Sequence, residues 1–515
     1  MEIMIQLVGH ELFGRPLNFS DSAVYVPEDG ASGSTEGAVV SPEGAAGEQE
    51  APCGSPLQHA KGLVSREPSI AHHEPNDCPE GAAGEQEAPC GSPLQPAKGL
   101  VSREPSITHH EPNDCLEGAA GSTEGAGCPM KNPAEWAELR RLALKHKVAT
   151  FVWDSAQKLG WVRDSFADLE DGVVVNGLDA DEKMRWVAAV TKIEQDYAHL
   201  YKLAAAVTTT LKNDGFRFRL LKGIALAQTY PVPSHRKFGD LDIYFPERID
   251  EAETVLCRKF GSAVVKGLNH HDTMKVAGVE LELHRHFFNL SKYSSNRLIQ
   301  KELDKLYEGT YSLDKTLVQG KVAEGCSAKR TADLAFILRH AGAHFVSGEL
   351  SLMNLTDVGR FLMTYDTEID YSKIRSIASS CGFERWWDVV LSILVQRIGF
   401  TLPQRLADSL RIESQNKGAT VRQAGMSPER QNHPVQSQSA MNGTQPAMAD
   451  ALVNKVMADV LDPKFISRER SSKGIGTLTY WFFSSRWKKR LVFANDSTAA
   501  VFFRTIIFWF RRHLN

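Results

Sequence analysis

Phe238-Gly239-Asp240-Leu241-Asp242-Ile243-Tyr244-Phe245 and, further along, Val279-Glu280-Leu281-Glu282-Leu283-His284 are the stretches that decide how this 515-residue chain is read. Both alternate apolar and polar residues, the period of a half-buried strand. Side chains on a strand point to alternate faces, so Asp240 and Asp242 project from one side while Leu241 and Ile243 face a core. Adjacent carboxylates repel each other and persist in a partly buried place when a cation neutralises them. Mg²⁺ suits that role, since it prefers hard oxygen ligands and keeps waters and substrate phosphates as the rest of its shell; Mn²⁺ is the alternative. A third carboxylate on a neighbouring strand, Glu282 in preference to Glu280, would let the place hold two metals roughly 4 Å apart. An isolated Asp-x-Asp is a weak signal, often a solvated turn or strand end, so its surroundings must carry the reading.

Upstream, Phe216-Arg217-Phe218-Arg219-Leu220-Leu221-Lys222-Gly223 has a strand pattern running into glycine, and Ile224-Ala225-Leu226-Ala227-Gln228 then reads as a helix start. A strand, glycine turn and helix start present free backbone N–H groups where a phosphate can sit. Lys222 at that turn adds a positive charge. Arg236 is a candidate for holding a phosphate, because a guanidinium offers a bidentate fork; its other role would be to position the loop.

Leu221-Lys222-Gly223, then Arg236 with Gly239-Asp240-Leu241-Asp242, then Glu282-Leu283-His284, in that order, resemble the uncharacterised bacterial nucleotidyltransferase family within the polymerase-beta-like superfamily. Leu142-Ala143-Leu144-Lys145-His146-Lys147-Val148 resembles that family's helical lead-in. Leu338-Arg339-His340 and Leu355-Thr356-Asp357 resemble its helical tail, and Arg486-Trp487-Lys488-Lys489-Arg490-Leu491-Val492-Phe493 resembles a C-terminal feature of some members. The resemblance spans residues 134 to 410 and implies an α+β fold: a small mixed-sheet nucleotidyltransferase core flanked by N- and C-terminal helical regions. Gly223 is followed by Ile224 where the wider superfamily has Gly or Ser, and the interval to Asp240 is longer than usual. The carboxylates are therefore firmer candidates than the glycine turn.

Composition sets the outer limits. From Glu43 the unit Glu-Gly-Ala-Ala-Gly recurs at Glu80 and Glu117, a period of 37 residues, and Lys-Gly-Leu-Val-Ser-Arg-Glu-Pro occurs at both Lys61 and Lys98. A repeat of this length can signal a solenoid. This one has no apolar face and is rich in Gly, Pro, Ala and Glu, so disorder is expected over residues 1–132. Near-identity of the copies points to duplication of DNA. Cys53, Cys78, Cys90, Cys115 and Cys128 fall in or just after this region without Cys-x-x-Cys, and the paired histidines are adjacent, so a zinc site is not expected there. Cys257, Cys326 and Cys381 read as free thiols of a reducing compartment. Met1 to Val8 lacks the basic start and the length of a signal peptide, so a cytoplasmic protein is expected.

Between Pro133 and Asp214, Trp136, Leu139, Leu142, Ala143 and later Val187, Val190, Ile193, Tyr197 and Leu200 recur at helical spacing, predicting a lead-in over 133–214. The catalytic core is expected over 215–290, with a second helix over Pro246 to Phe260 and a strand near Ala263 to Lys266 before the Glu282 strand. A helical region is expected over 291–412, with helix from Thr331 to Thr364. His340 and His344 lie four apart as in a metalloprotease helix, but Ala341-Gly342-Ala343 between them lacks the glutamate, so packing is the expected role. His270, His271 and His284 are each candidates for phosphate, sugar or metal, set against an ordinary packed histidine.

Residues 413–450 are rich in Gln, Ser, Asn, Ala and Pro and predict a disordered linker, followed by a basic aromatic segment over 451–515. Formal net charge is −4 but uneven: residues 1 to 130 hold 20 acidic and 5 basic side chains, and residues 464 to 515 hold 2 acidic and 11 basic. The apolar run near the end is too short and interrupted to span a bilayer. Two readings remain for 481–515, contact with an anionic membrane surface or docking onto the helical region; nucleic-acid binding is disfavoured.

The resemblance implies transfer of a nucleoside monophosphate from an NTP to an acceptor the sequence does not identify, with release of pyrophosphate. It places the metal ions on Asp240, Asp242 and Glu282, with Glu282 as ligand or base, and phosphate or substrate contacts on Lys222, Gly223, Arg236 and His284. Alanine at Asp240 or Asp242 is expected to abolish turnover and leave the fold intact. A glycosyltransferase using Asp-x-Asp and a sugar nucleotide explains only one of these motifs. A catalytically degenerate interaction protein would show no metal-dependent nucleotide binding.

Overall fold

The computed structural model describes residues 1–17, 127–162, 174–267, 270–308, 327–412, 446–462 and 475–514; the 37-residue repeats and the segment 413–445 lie outside the described residues. Helix starts follow local chemistry. Asn132 accepts a hydrogen bond from the Glu135 N–H at 3.0 Å and Pro133 takes the first helical position, opening α2 (Pro133–Lys145). Lys147 turns the chain through the left-handed region at φ 62° into α3 (Ala149–Lys158). Asp179 then caps α4 (Ala180–Asn213), accepting from the Glu182 N–H at 2.8 Å. The expected lead-in is thus three helices. The last of them serves two cores: Trp186 and Ile193 pack in one with Trp136 and Trp153, and Leu200, Leu203, Val207 and Leu211 pack in a second beneath the sheet.

The sheet has five strands, β1 (Arg219–Leu220), β2 (Asp240–Tyr244), β3 (Val264–Val265), β4 (His271–Val276) and β5 (Val279–His284), in the order β1-β2-β5-β4-β3. Only the central pair β2–β5 is parallel; the others are antiparallel, so the sheet is mixed. Between β4 and β5, Ala277 and Gly278 have φ 48° and 85°, the positive pair a two-residue hairpin requires. Leu241, Ile243, Leu281 and Leu283 face the second core with α6 (Ile249–Phe260), and burying each contributes roughly 1.5–3 kcal/mol. Tyr244 lies in the other core, on the opposite face. Two cores, one per face, therefore hold β2 and β5 rigidly and leave the polar face of their N-terminal halves to the site.

Several boundaries differ from expectation. The second helix begins at Ile249, because Arg248 at φ 54° is left-handed and cannot sit inside a right-handed helix; Pro246 lies before it. Of the strand pattern before Gly223 only Arg219 and Leu220 pair with β2, and near Ala263 only Val264 and Val265 pair with β4. The helix expected over 331–364 is two, α8 (Ser327–Ser347) and α9 (Leu352–Tyr365), separated at Gly348, φ 77°. Ser351 and Asn354 form a capping box that starts the second. With α7 (Ser295–Tyr307), α10 (Tyr371–Ser380) and α11 (Glu384–Ile393) they make the helical tail.

Both ends of the chain pack on the helices, the first mainly on α3 and the last on the tail. Residues 1–132 are not uniformly without structure: α1 (Glu2–Phe13) buries Met4, Ile5, Leu7, Val8 and Leu12 and ends at left-handed Gly14. Helix Pro446–Leu461 begins inside the expected linker and buries Val453, Val456, Met457 and Val460. Beyond it, Phe482, Leu491, Val492, Phe493 and Val501 are buried, which is docking onto the helical region. Tyr480, Phe483, Phe503, Ile507 and Phe510 stay exposed. None of the described helices is long and apolar enough to cross a membrane.

Arg339 of α8 fastens the C-terminal segment. It is fully buried, donates to the carbonyl of Val492 at 2.6 Å, to the Asn296 side chain at 3.0 Å and to the Ser295 hydroxyl, and lies over the Phe493 ring. Among the described residues no carboxylate bonds to it, and burial pushes its guanidinium down to about 10.

Candidate active site

The register of β2 on β5 sets Asp240 beside Glu280 and Asp242 beside Glu282. Because neighbouring residues in a ladder share a face, the three predicted carboxylates converge. Glu280 is exposed at the strand's start; Asp242, at 1% exposure, is the most enclosed of the group, and one of its oxygens, Oδ2, is buried with no hydrogen-bond partner among the described residues. Asp242, Glu282 and His284 each bring one ligand atom within 4.8 Å of the others.

Lys222 and His284 tie this cluster together. Lys222 Nζ lies 3.1 Å from Asp242 Oδ1 and 3.6 Å from Asp240 Oδ2. His284 Nε2 lies 3.1 Å from Asp242 Oδ1 and 3.2 Å from Glu282 Oε2. Burial by itself would lower the Lys222 ammonium, but Asp242, Asp240 and Glu282 outweigh it and raise it above its ordinary value. His284 behaves alike: burial lowers it, and the hydrogen bonds to Asp242 and Glu282 carry it above the usual histidine value. For Glu282 burial works upward, and the His284 hydrogen bond and Lys222 charge prevail, holding the carboxyl at about 2.

Lys222 reaches this place through unusual backbone. Its φ is 26° and ψ −147°, and Gly223 follows at φ 47° as the first residue of α5 (Gly223–Ala227). A Cβ on Gly223 would sit 3.6 Å from the Asp240 carbonyl, so the glycine answers the backbone's left-handed turn more than a lack of space. The predicted glycine turn is there, immediately beside β2.

Arg236 is tied elsewhere. Its Nε and Nη2 each donate to Asp357 of α9 at 2.7 Å, and Asp357 also accepts from the Tyr230 hydroxyl at 2.7 Å. Its remaining nitrogen, Nη1, is buried without a partner. A cavity next to the carboxylates is lined by Lys222, Arg236, His340, Asn354 and Asp357 among others. The loop carrying Arg236 is pinned by His235, which bonds Asp154 at 2.6 Å and Glu194 at 3.0 Å.

His270 and His271 flank the cluster on β4 and just before it. His271 faces His284 across the β4–β5 ladder, and its Nε2 is 3.9 Å from Glu282 Oε1. Burial, then the neighbouring histidines, press His270 down to about 2, and burial also lowers His271. His340, partly exposed, lines that cavity; desolvation and the charge of Lys222 hold it well below its ordinary value.

Two residues near the site had no local sign in the sequence. Lys147 is close enough to Asp240, Arg236, Lys222 and Asp357 to interact with them electrostatically. Asp357 partners Arg236 from 121 residues away. Both lie in stretches whose only signal was their resemblance to the lead-in and tail.

A family model described as an uncharacterised nucleotidyltransferase matches residues 132–398, just over half of the chain, and the chain belongs to that family. No curated protein and no solved structure matches it.

Proposed function

From membership of a nucleotidyltransferase family, we propose that the chain moves a nucleoside monophosphate from an NTP to an acceptor hydroxyl and releases pyrophosphate. The observation that carries this reading is the pairing of Asp242 with Glu282 on adjacent parallel strands, with Asp242 Oδ2 buried and unpartnered. A buried carboxylate oxygen lacking a donor is costly unless a cation meets it, and this donor set of hard oxygens fits Mg²⁺ or Mn²⁺. Asp240, Asp242 and Glu282 would hold the ion, which when bound neutralises phosphate charge and favours in-line displacement at the α-phosphorus.

The chain's own residues divide the remaining work. Lys222, which already neutralises Asp240 and Asp242, can turn to a phosphate once a metal takes over those carboxylates. Arg236 lines the adjoining cavity while Asp357 holds its fork in place. Glu282, beside Asp242 across the β2–β5 ladder, would serve as a metal ligand or as the base that takes the acceptor hydroxyl's proton. His284 positions both Asp242 and Glu282. Family membership favours nucleotidyl over glycosyl transfer.

The test is binding of each of the four NTPs to the full chain with and without Mg²⁺, comparing wild type with Asp240→Asn. Metal-dependent binding lost in the variant supports the reading and names the base. Folded wild type that binds none of the four overturns it and favours a catalytically degenerate interaction protein.

A further inference from the structure

We propose that His270, His271 and His284 form a second metal-binding site, for a divalent transition ion of the zinc class, beside the carboxylate cluster. Each ring brings one nitrogen, and the three nitrogens lie within 4.8 Å of one another. A tetrahedral zinc with nitrogen ligands near 2.05 Å needs about 3.4 Å between them. His271 Nδ1 and His270 Nε2 are already 3.5 Å apart, so small side-chain rotations close the set.

Two of the three rings also carry a nitrogen with no other use. His270 Nδ1 and His284 Nδ1 are buried and have no hydrogen-bond partner among the described residues. His284 is set up as metal-ligating histidines usually are: one ring nitrogen faces carboxylates, here Asp242 and Glu282, and the other is left free. Leaving His270 Nδ1 and His284 Nδ1 buried and unmet is costly, since buried polar atoms normally find partners.

Ligand chemistry separates the two places. Imidazole selects zinc, cobalt or nickel, whereas carboxylate oxygens suit magnesium and manganese. Three protein ligands leave a fourth position for water or a substrate oxygen. The site shares His284 with the carboxylate cluster, but the inference concerns only which ion the histidines take and does not rest on nucleotidyl transfer.

The experiment uses the full chain, stripped of metal, titrated with Zn²⁺ for stoichiometry and with Co²⁺ for visible absorption. Wild type is compared with His270→Gln/His271→Gln, with the single variant His271→Gln, whose side chain is partly exposed and whose loss spares the core, and with Asp240→Asn. Cysteines and histidines elsewhere bind metal equally in all four proteins and cancel. The expected result is one Zn²⁺ equivalent fewer in the double variant, at least tenfold weaker binding of that equivalent in His271→Gln, and no change in Asp240→Asn. Equal stoichiometry and affinity in wild type and His271→Gln overturns the proposal, as does a Co²⁺ spectrum lost in Asp240→Asn but kept in His271→Gln. NTP binding is read separately, so failure here and failure of the nucleotidyltransferase reading are distinguishable.

Discussion

Asp242→Ala should destabilise the metal-free protein as well as silence it, contrary to the expectation that the fold would survive intact. Asp242 is 1% exposed and receives both Lys222 and His284, each at 3.1 Å. At that separation and an effective dielectric near 20, one unit pair interacts by about 5 kcal/mol. His284 can shed its proton when the carboxylate goes, since that carboxylate is part of what raises it. Lys222 has no such escape, although its partial exposure lets water return some of the loss. Removing one partner of a buried pair costs about 3–5 kcal/mol, and the exposure of Lys222 places Asp242→Ala near 3. Lys222→Met in the same background deletes the stranded cation, so the double variant should recover about 2 kcal/mol relative to the sum of the singles. Urea unfolding of the four proteins of this cycle, in chelator, measures both quantities. A cost below about 1 kcal/mol for Asp242→Ala, or additive effects, would refute the claim that these charges form one interdependent cluster.

Asp240→Asn should instead change stability by less than about 1 kcal/mol, because that carboxylate is 38% exposed and water replaces its lysine; unfolding of this variant alone checks it. Arg236→Lys breaks the bidentate fork on buried Asp357 and should cost about 3–5 kcal/mol in thermal or urea denaturation. Gly342→Ala brings a Cβ to 2.6 Å from Val492 and 3.1 Å from the Trp386 ring nitrogen, so it should lower stability by about 1–3 kcal/mol and speed proteolysis beyond residue 475. Burial lowers His235, but Asp154 and Glu194 carry it above its ordinary value. Its stabilisation is therefore full below about pH 6.5 and fades as pH rises through the higher folded value, so the melting-temperature gap between wild type and His235→Gln should shrink between pH 6 and pH 9.

Strand alternation made the shared face of Asp240 and Asp242, and that of Glu282 and His284, legible without a structure, because the period of two is a local property. What joins them is the parallel pairing of β2 with β5, which no short-range signal specifies. The Lys222-Gly223 turn was legible for the same local reason. Arg236 was not: as a lone residue it offers a fork to any anion, and only the fold delivers Asp357 to it. Helix α1 escaped notice because its apolar residues were weighed against a signal peptide instead of against a core. Pro246 misled because the backbone turns left-handed two residues later, at Arg248, which composition does not encode.

The Arg339 clasp bears on the order in which this protein can be assembled during synthesis. Its hydrogen-bond acceptors are residues 295–296, the Cys381 carbonyl at 3.5 Å and the much closer Val492 carbonyl at 2.6 Å, so a guanidinium in the middle of the tail waits for chain made 153 residues later to complete its partners. Until Val492 and Phe493 leave the ribosome, closing α8 against α7 would strand a charge in an apolar interior, a cost of several kcal/mol. The five-stranded sheet, complete by His284, can form long before that. Completion of the helical tail is thereby tied to the arrival of the last segment, and a chain released early would carry an open seam along α8.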